Sequence, residues 1–362
     1  MSDILREQIL TALSRVYDPE IRRPVTELGM IDRVDIDGGD VAVQALLTVE
    51  GCPLQDTLSR DIESAVAGVA GVTSVNVSLG VMSDEQRAAM RVSLGANATI
   101  NQFADSATRV LAIASGKGGV GKSSLTVNLA VALAQQGLAV GLLDADIYGH
   151  SVPAMMGVAG EHLTMVDDMI MPIPAYGVAT MSIGLMKESR DQVIAWRGPM
   201  LDRALSQMLN DVYWGDLDWL IVDLPPGTGD MPMSVGRQLP SASVLVVTTP
   251  NAAAFEVAER AGTLASRMKQ PVIGVVENMS WLDAECPQCH ESHRVEVFGS
   301  GGGAAVARTL TTRIGEPVPL LAQIPMDIAV RACGDEGAPV VAVAPDSPAA
   351  VAIAALARTL MS

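Results

Sequence analysis

Hydrophobic positions recur with two different patterns along this chain and divide it into two parts. In the first part, short apolar segments alternate with stretches whose apolar residues recur every three or four positions. The predicted elements are helices at 3–16 and 54–69 and strands at 41–48 and 73–78. Together they predict a small α+β domain over residues 1–92. Residues 93–108 have no such period and are typical of a linker.

The second part, residues 109–362, has a different pattern. Short, wholly apolar runs alternate with longer segments of helical spacing, which predicts a mostly parallel sheet with helices on both faces. The clearest runs are 109–115, 139–144, 219–223 and 272–276. We therefore expect an α/β fold for this part of the chain.

A glycine-rich motif lies between the first of these strands and a predicted helix at 123–134. The motif matches the phosphate-binding pattern G-x-x-x-x-G-K-[ST] in full. Its residues are Gly116, Lys117, Gly118, Gly119, Val120, Gly121, Lys122 and Ser123, followed by Ser124. Glycines let backbone N–H groups curl around a polyphosphate, and the helix N-terminus adds its positive dipole end. The motif predicts an ATP site in which Lys122 meets the phosphates and Ser123 is a Mg²⁺ ligand.

A second lysine, Lys117, begins the loop, and an ordinary P-loop does not need it. The string resembles the deviant Walker A motif of dimeric ATPases, which include MinD, ParA, the nitrogenase iron protein and the Mrp/ApbC iron–sulfur carriers. In that family this lysine reaches the nucleotide of the other subunit. The resemblance therefore implies a homodimer in which Lys122 acts within its own chain and Lys117 acts on the partner's nucleotide.

Polar residues follow three of the apolar runs, where an open α/β sheet holds its ligands. Asp144 and Asp146 end one strand, Asp223 ends another, and Asn278 follows a third. Asp223 begins the string Asp-Leu-Pro-Pro-Gly-Thr-Gly-Asp, which closely resembles a segment of the Mrp family. That resemblance implies that Asp146 positions the attacking water or the Mg²⁺ shell with support from Asp144, and that Asn278 binds adenine. An acid that closes an apolar strand suits Mg²⁺, so we expect Asp223 and Asp144 to join Ser123 around the ion. A turn-forming asparagine is the alternative at position 278.

Further resemblances to the Mrp family flank these strands. Residues 196–200, Trp-Arg-Gly-Pro-Met, resemble another of its segments, and we expect Arg197 to be either an anion contact or an interface residue. The glycine-rich stretch 298–303 predicts either a hinge or a close approach of two backbones.

Cys286 and Cys289 form a C-x-x-C pair, which supplies half of a four-thiolate site. Two copies related by a twofold axis would complete the site. Resemblance to Mrp/ApbC proteins implies a [4Fe–4S] cluster that bridges the dimer. The alternatives are a structural zinc bound by both cysteines and His293 or His290, a redox disulfide, and c-type haem attachment to C-x-x-C-H.

The first domain carries its own weaker resemblance. Its order of Asp18-Pro19-Glu20, residues 27–31 and Gly51-Cys52-Pro53 resembles the metal–sulfur-cluster-biosynthesis domain that often precedes Mrp-type ATPases. Cys52 precedes a predicted helix, whose N-terminus favours a thiolate. A buried structural cysteine is the alternative.

Composition narrows the choice of partners. The net charge is −17, which argues against binding to nucleic acid or to an anionic membrane. Four cysteines do not support a disulfide framework, no apolar run is long enough to span a membrane, and the first residues lack the features of a signal peptide. We therefore expect a cytoplasmic protein.

These features predict an ATP-hydrolysing carrier of the Mrp/ApbC kind that passes its cluster to apo iron–sulfur proteins and meets cluster assembly proteins. The alternative is a MinD- or ParA-like positioning ATPase with structural zinc at the C-x-x-C. That class needs a basic C-terminal helix or a basic DNA-binding face, whereas residues 348–362 hold one arginine. An electron donor like the nitrogenase iron protein is less consistent with a single C-x-x-C pair.

Overall fold

A computed structural model describes residues 2–19, 21, 23–48, 55–93, 102–103, 106–147, 149, 151–166, 169–186, 198–286 and 288–362. It divides into two compact units, which are Met1–Thr99 with Thr164–Met171, and Ile100–Leu163 with Pro172–Ser362. Among the described helices, none combines the length and the apolar character that crossing a bilayer requires. Cys52, Trp196, Arg197 and the linker residues 94–101 and 104–105 lie outside the described residues.

The smaller unit is an α+β structure. Its elements, as far as they are described, are α1 (Ser2–Leu13), β1 (Ile31–Asp37), β2 (Asp40–Leu47), α2 (Gln55–Ala67), β3 (Ser74–Val81) and α3 (Asp84–Ser93), with the β6–β7 hairpin (Met165–Val166 and Met169–Ile170). β1 and β2 are antiparallel, whereas β2 and β3 are parallel. Alternate residues along most of β2 are buried, and so are Ile9 and Leu13 of α1 and Ile62 of α2. The predicted α+β composition is confirmed.

The larger unit begins with the elements that surround the glycine-rich motif. These are β4 (Arg109–Ser115), α4 (Lys122–Ala134), β5 (Val140–Asp144), α5 (Val152–Met155), β8 (Ile173–Ala175), β9 (Val178–Ser182), a 3₁₀ turn (Ile183–Met186), α6 (Gly198–Asn210), β10 (Trp219–Asp223) and α7 (Asp230–Gln238). The remaining elements are β11 (Ser243–Thr248), α8 (Ala252–Arg267), β12 (Val272–Glu285), β13 (Ser292–Val295), α9 (Gly302–Ile314), β14 (Leu320–Met326), α10 (Ile328–Asp335), α11 (Val340–Val343) and α12 (Pro348–Met361).

These strands form a nine-stranded sheet in the described part of the unit. Its order is β13-β12-β11-β4-β10-β5-β9-β8, and β14 also pairs with β12. β8 and β13 run antiparallel to their neighbours, while the other pairings are parallel. α4 is buried along most of its length because it packs between the sheet and α12. The α/β prediction is therefore confirmed, and the sheet brings the carboxyl ends of β4, β5 and β10 to one edge.

Close backbone contacts account for the glycine-rich stretch before α9. A Cβ at Gly302 would lie 2.5 Å from the Pro250 carbonyl oxygen, and one at Gly303 would lie 2.6 Å from Cβ of Glu277. The Glu277 side chain is buried and accepts hydrogen bonds from the Gly303 N–H at 2.5 Å and from the Gln323 amide at 2.7 Å. The close-approach interpretation therefore applies to Gly302 and Gly303, where Glu277 joins β12 to α9 and β14.

Candidate functional site

The glycine-rich loop connects the end of β4 to the start of α4, as the chemistry of phosphate binding requires. Gly119 and Gly121 have φ of +80° and +77°, a region that favours glycine. A Cβ at Gly121 would also lie 2.3 Å from Nδ2 of Asn278. Glycine is needed at position 121 both for its backbone conformation and for the space that Asn278 takes.

Lys122 lies in the interior of the site. Its ammonium is 2.7 Å from Oδ2 of Asp223 and 3.1 Å from Oγ of Ser123. The Ser123 hydroxyl donates to the same carboxylate oxygen at 2.5 Å. Lys122 is 6% exposed and Asp223 is wholly buried, so the ion pair is shielded from solvent and neutralises two charges that would be costly to bury alone.

Thr126 is a site residue that sequence reasoning missed. Its hydroxyl lies 2.7 Å from Oδ1 of Asp223 and 2.9 Å from the Lys122 carbonyl oxygen. One turn of α4 therefore supplies hydrogen-bond donors to both oxygens of the Asp223 carboxylate. A signal was present, because Thr126 follows Lys122 by four residues and so shares its helix face.

Asp144 is the second buried acid of the site and pairs in register with Asp223 on the neighbouring strand. Its carboxylate accepts hydrogen bonds from the Ser182 hydroxyl at 2.9 Å and from the Asp146 N–H at 3.0 Å. Burial, together with the nearby charge of Asp223, raises the pKa of Asp144 to about 8. At neutral pH the protonated form therefore predominates, and the Lys122–Asp223 pair is not opposed by a second negative charge.

The other predicted nucleotide residues lie around this centre. The Asn278 amide donates to the Val120 carbonyl oxygen at 2.9 Å, which fastens β12 to the loop. Asp146 is half-buried and accepts from the Gly149 N–H at 3.0 Å. Ser124 is half-buried in the first turn of α4, next to Ser123. The structure thus brings together the loop, Asp144, Asp223 and Asn278, while their roles toward a nucleotide stay predictions.

Lys117 differs from Lys122 in its surroundings. It is half-buried, its carbonyl oxygen accepts from the Ser115 hydroxyl at 3.2 Å, and within the described ranges no hydrogen bond or ion pair holds its ammonium. The segment after Asp223 lies beside the loop, because the Gly227 N–H donates to the Ser115 carbonyl oxygen at 2.8 Å.

The C-x-x-C pair lies away from the loop, at the tip of the β12–β13 hairpin. The sequence indicates a strand at 272–276 that is followed by Asn278, and this is too short: β12 continues to Glu285, immediately before Cys286. Cys286 is half-buried and Cys289 is exposed, and both are free thiols. Hydrogen bonds from the backbone N–H groups of Cys289 and Gln288, and from the Cys289 thiol, hold the pKa of Cys286 below its usual range.

A histidine joins the two cysteines. One donor atom from each of Cys286, Cys289 and His293 lies within 4.8 Å of the others. His290 does not belong to this group, because its Nδ1 is 2.7 Å from a Glu285 carboxylate oxygen. Two sulfurs and an imidazole suit zinc or iron rather than magnesium. Cys333 lies elsewhere, half-buried on α10.

The fold and the loop define this chain as a P-loop nucleoside triphosphatase. Residues 106–361 match the family model described as ParA, the NUBPL iron-transfer P-loop NTPase. Residues 6–79 match the model described as iron-sulfur cluster assembly protein. The chain belongs to the ParA/NUBPL family of iron-transfer P-loop NTPases, and the family resemblance seen in its motifs is confirmed.

Relatives cover almost the whole chain. An iron-sulfur cluster carrier protein of Mycobacterium leprae is 51% identical over 99% of this chain and 93% of its own length. An iron-sulfur cluster carrier protein of Deinococcus radiodurans is 42% identical over 98% of this chain and 95% of its own length. A nucleotide-binding protein of Archaeoglobus fulgidus, solved with ADP and with cobalt found, is 35% identical over 63% of this chain and 86% of its own, with a TM-score of 0.52. These comparisons favour a carrier over a MinD- or ParA-like positioning ATPase.

Proposed function

We propose that this chain is an ATP-hydrolysing carrier of iron–sulfur clusters, which holds a [4Fe–4S] cluster between two copies of itself and delivers it to apo-proteins. The observation that carries the proposal is the presence, in one unit, of a two-lysine P-loop and a surface C-x-x-C pair, joined by strand β12. The name shared by its relatives supports the same function.

The nucleotide half of the function rests on the loop and its neighbours. Lys122 is held at the centre of the site and would neutralise charge that develops on the terminal phosphate. Asp146 would position the attacking water, and Asn278 would contact adenine once nucleotide is bound. Gly116, Gly118, Gly119, Val120 and Gly121 would supply backbone N–H groups to the phosphates.

The donors near Lys122 suit magnesium. The Ser123 hydroxyl and the Asp223 carboxylate are hard oxygen ligands 2.5 Å apart, and Asp144 lies on the adjacent strand. When bound, Mg²⁺ would supply positive charge to the phosphates. Ser123 and Asp223 would hold it directly, whereas Asp144 would support them because its oxygens already accept hydrogen bonds.

The proposed homodimer rests on Lys117 and on the cysteines. The Lys117 ammonium has no partner among the described residues, so it is available to a nucleotide held by a second chain. Cys286 and Cys289 supply two of the four thiolates that a [4Fe–4S] cluster takes. A twofold axis supplies the other two.

We place the carrier in the cytoplasm, since the three cysteines among the described residues are free thiols, which is consistent with a reducing compartment. Apo iron–sulfur proteins and cluster assembly proteins are its proposed partners. The charge of −17 makes nucleic acid and anionic membranes poor ones.

Anaerobic reconstitution with iron and sulfide tests the proposal. The wild type is compared with a Cys286→Ala/Cys289→Ala double variant and with Cys333→Ala as the matched control. We expect about four iron and four sulfide per dimer in the wild type and the control, and neither in the double variant. Transfer is then measured as activation of an apo-enzyme that requires a [4Fe–4S] cluster.

Zinc is measured in the same samples. One zinc per chain with no uptake of iron and sulfide would contradict the carrier function and make the pair a structural clip. Uptake of iron by the double variant would show that the cluster lies elsewhere.

A further inference from the structure

The β12–β13 hairpin presents more than the two cysteines. The sulfurs of Cys286 and Cys289 and a ring nitrogen of His293 lie within 4.8 Å of one another on a single chain. A bridging four-thiolate cluster needs only the cysteines, so the place of His293 calls for an explanation.

The hairpin register determines where His293 lies. His293 pairs with Ala284, and the Cys286 N–H donates to the Glu291 carbonyl oxygen at 2.9 Å, which extends the ladder by one pair. Since side chains alternate between the faces of a strand, Cys286 and His293 share one face as diagonal neighbours across the hairpin. The backbone therefore places both side chains on the same face, within reach of a shared metal ion.

The same register brings three side chains together on the opposite face of the hairpin. The Arg294 guanidinium lies 3.8 Å from the centre of the Trp281 ring and 3.9 Å from an Asp283 carboxylate oxygen. Trp281 and Asp283 belong to β12, and Arg294 belongs to β13. This contact holds the two strands together through residues that take no part in the cluster of donors.

His290 offers a comparison within the same hairpin. It immediately follows Cys289, yet its ring pairs with Glu285, and its backbone adopts φ of +56° while its N–H donates to the Cys286 carbonyl oxygen at 2.9 Å. Glu285 alternates with Cys286 and therefore points to the other face. Of the two histidines near the pair, the structure brings only His293 to the sulfurs.

We infer that Cys286, Cys289 and His293 of one chain form a three-donor site for a single tetrahedral metal ion, Zn²⁺ or Fe²⁺, with the fourth position open. Two thiolates and an imidazole match the ligand types that these ions take, and their donor atoms lie within 4.8 Å of one another. The inference rests on the proposed function only in taking both cysteines as metal donors. It adds that a chain without a partner binds metal, and that His293 is one of the ligands.

Anaerobic titration of the full-length, reduced chain with Co²⁺ tests the inference. Tetrahedral Co²⁺ bound by thiolates shows strong ligand-field and sulfur-to-cobalt charge-transfer bands, so the spectrum reports the donors directly. We expect one Co²⁺ per chain in the wild type. His293→Ala should weaken binding at least about tenfold, the lower end of the loss seen even when an outer-shell partner is removed, and should alter the ligand-field bands.

His290→Ala is the matched control and should bind Co²⁺ as the wild type does. His293→Cys should restore the affinity and strengthen the charge-transfer band, because a thiolate replaces the imidazole. ATP binding measured on each variant establishes that the larger unit is folded, since the P-loop lies elsewhere.

The outcomes separate this inference from the proposed function. Equal Co²⁺ affinity and spectra for the wild type and His293→Ala would overturn the inference, while reconstitution of the cluster on the cysteines would leave the carrier function intact. Unchanged Co²⁺ binding in Cys286→Ala/Cys289→Ala would also overturn the inference, because the bound ion would then lie away from the cysteines.

Discussion

Thr126 shows how a single hydroxyl can hold a buried charge. Asp223 is fully buried, and Thr126 supplies the donor to one of its two oxygens. Thr126→Val keeps the shape of the side chain and leaves that oxygen unsatisfied, so we expect the free energy of unfolding to fall by about 1–3 kcal/mol. Urea denaturation measures the change.

The control for this variant is Thr312→Val on α9. The Thr312 hydroxyl makes the same bond to a carbonyl oxygen four residues earlier, at 3.0 Å, and it is exposed. Its loss should change stability by no more than about 0.5 kcal/mol. Equal losses for the two variants would show that the bond to Asp223 adds nothing.

We expect Lys122 to affect both the stability of the fold and ATP turnover, and the two effects can be separated. Lys122→Ala should reduce ATP hydrolysis at least about a hundredfold, measured as phosphate release, and should also destabilise the fold because Asp223 loses its ion-pair partner. Adding Asp223→Asn removes the unpaired charge, so the double variant should regain stability and remain inactive. Wild-type turnover in Lys122→Ala would mean that the nucleotide site is wrongly assigned.

At the scale of elements, α6 and α7 are joined by Asp202. The Ser234 hydroxyl donates a hydrogen bond to Oδ1 of Asp202 at 2.5 Å, and the Arg237 guanidinium donates another at 3.1 Å. These hydrogen bonds, that of Ser234 first, hold the pKa of Asp202 below its usual range. The folded state therefore favours the carboxylate. The stability that the Asp202 carboxylate contributes is fully present above its pKa in the unfolded chain, which is near 4. That stability is lost as the pH falls through the lower pKa of Asp202 in the folded state.

Asp202→Asn should therefore destabilise the larger unit at pH 7, and the difference from the wild type should shrink as the pH falls below about 4 and vanish once the pH is below the lowered pKa of Asp202. Since the side chain is 46% exposed, we expect a loss below about 1 kcal/mol. Urea unfolding at several pH values measures it, with the exposed Asp216→Asn as control. A difference that persists in acid would point to lost hydrogen-bond geometry rather than to charge.

Local pattern predicted the elements around the P-loop well and the hairpin poorly. β4 and β10 have the predicted bounds, because buried parallel strands are continuous apolar runs. α4 begins one residue earlier than predicted, and the glycine-rich motif determines the turn between β4 and α4. β13 has no apolar run or alternation that would predict a strand, because its four residues are all exposed. Its pairing with β12 places His293 beside the cysteines. Thr126 and Asp223, 97 residues apart, likewise meet only through the fold.

At the scale of the whole molecule, mixing two inactive variants tests the role proposed for Lys117. Each site would need Lys122 from its own chain and Lys117 from the partner. A heterodimer of Lys117→Ala with Lys122→Ala therefore regains one complete site. Half of the dimers in an equal mixture are heterodimers, so ATP hydrolysis should recover to about a quarter of the wild-type rate.

Each variant alone should stay inactive at the same total concentration. No recovery on mixing, with heterodimers verified by differently tagged chains, would place Lys117 in the site of its own chain. Recovery without heterodimers would rule out both arrangements.

The length of β12 determines how nucleotide bound at the P-loop could affect the C-x-x-C pair of this carrier. Asn278 contacts the P-loop, and Cys286 follows eight residues later, which is at most about 26 Å of strand. The Debye length is about 8 Å at physiological ionic strength, so the charge of a nucleotide is largely screened at the cysteines. Within one chain, a bound nucleotide would therefore have to affect the cysteines through a change in conformation along β12 rather than through its charge. Met279 lies between Asn278 and Cys286. It has φ of +56° and lies where the register of β12 with β14 is broken, so we expect such a change to occur there.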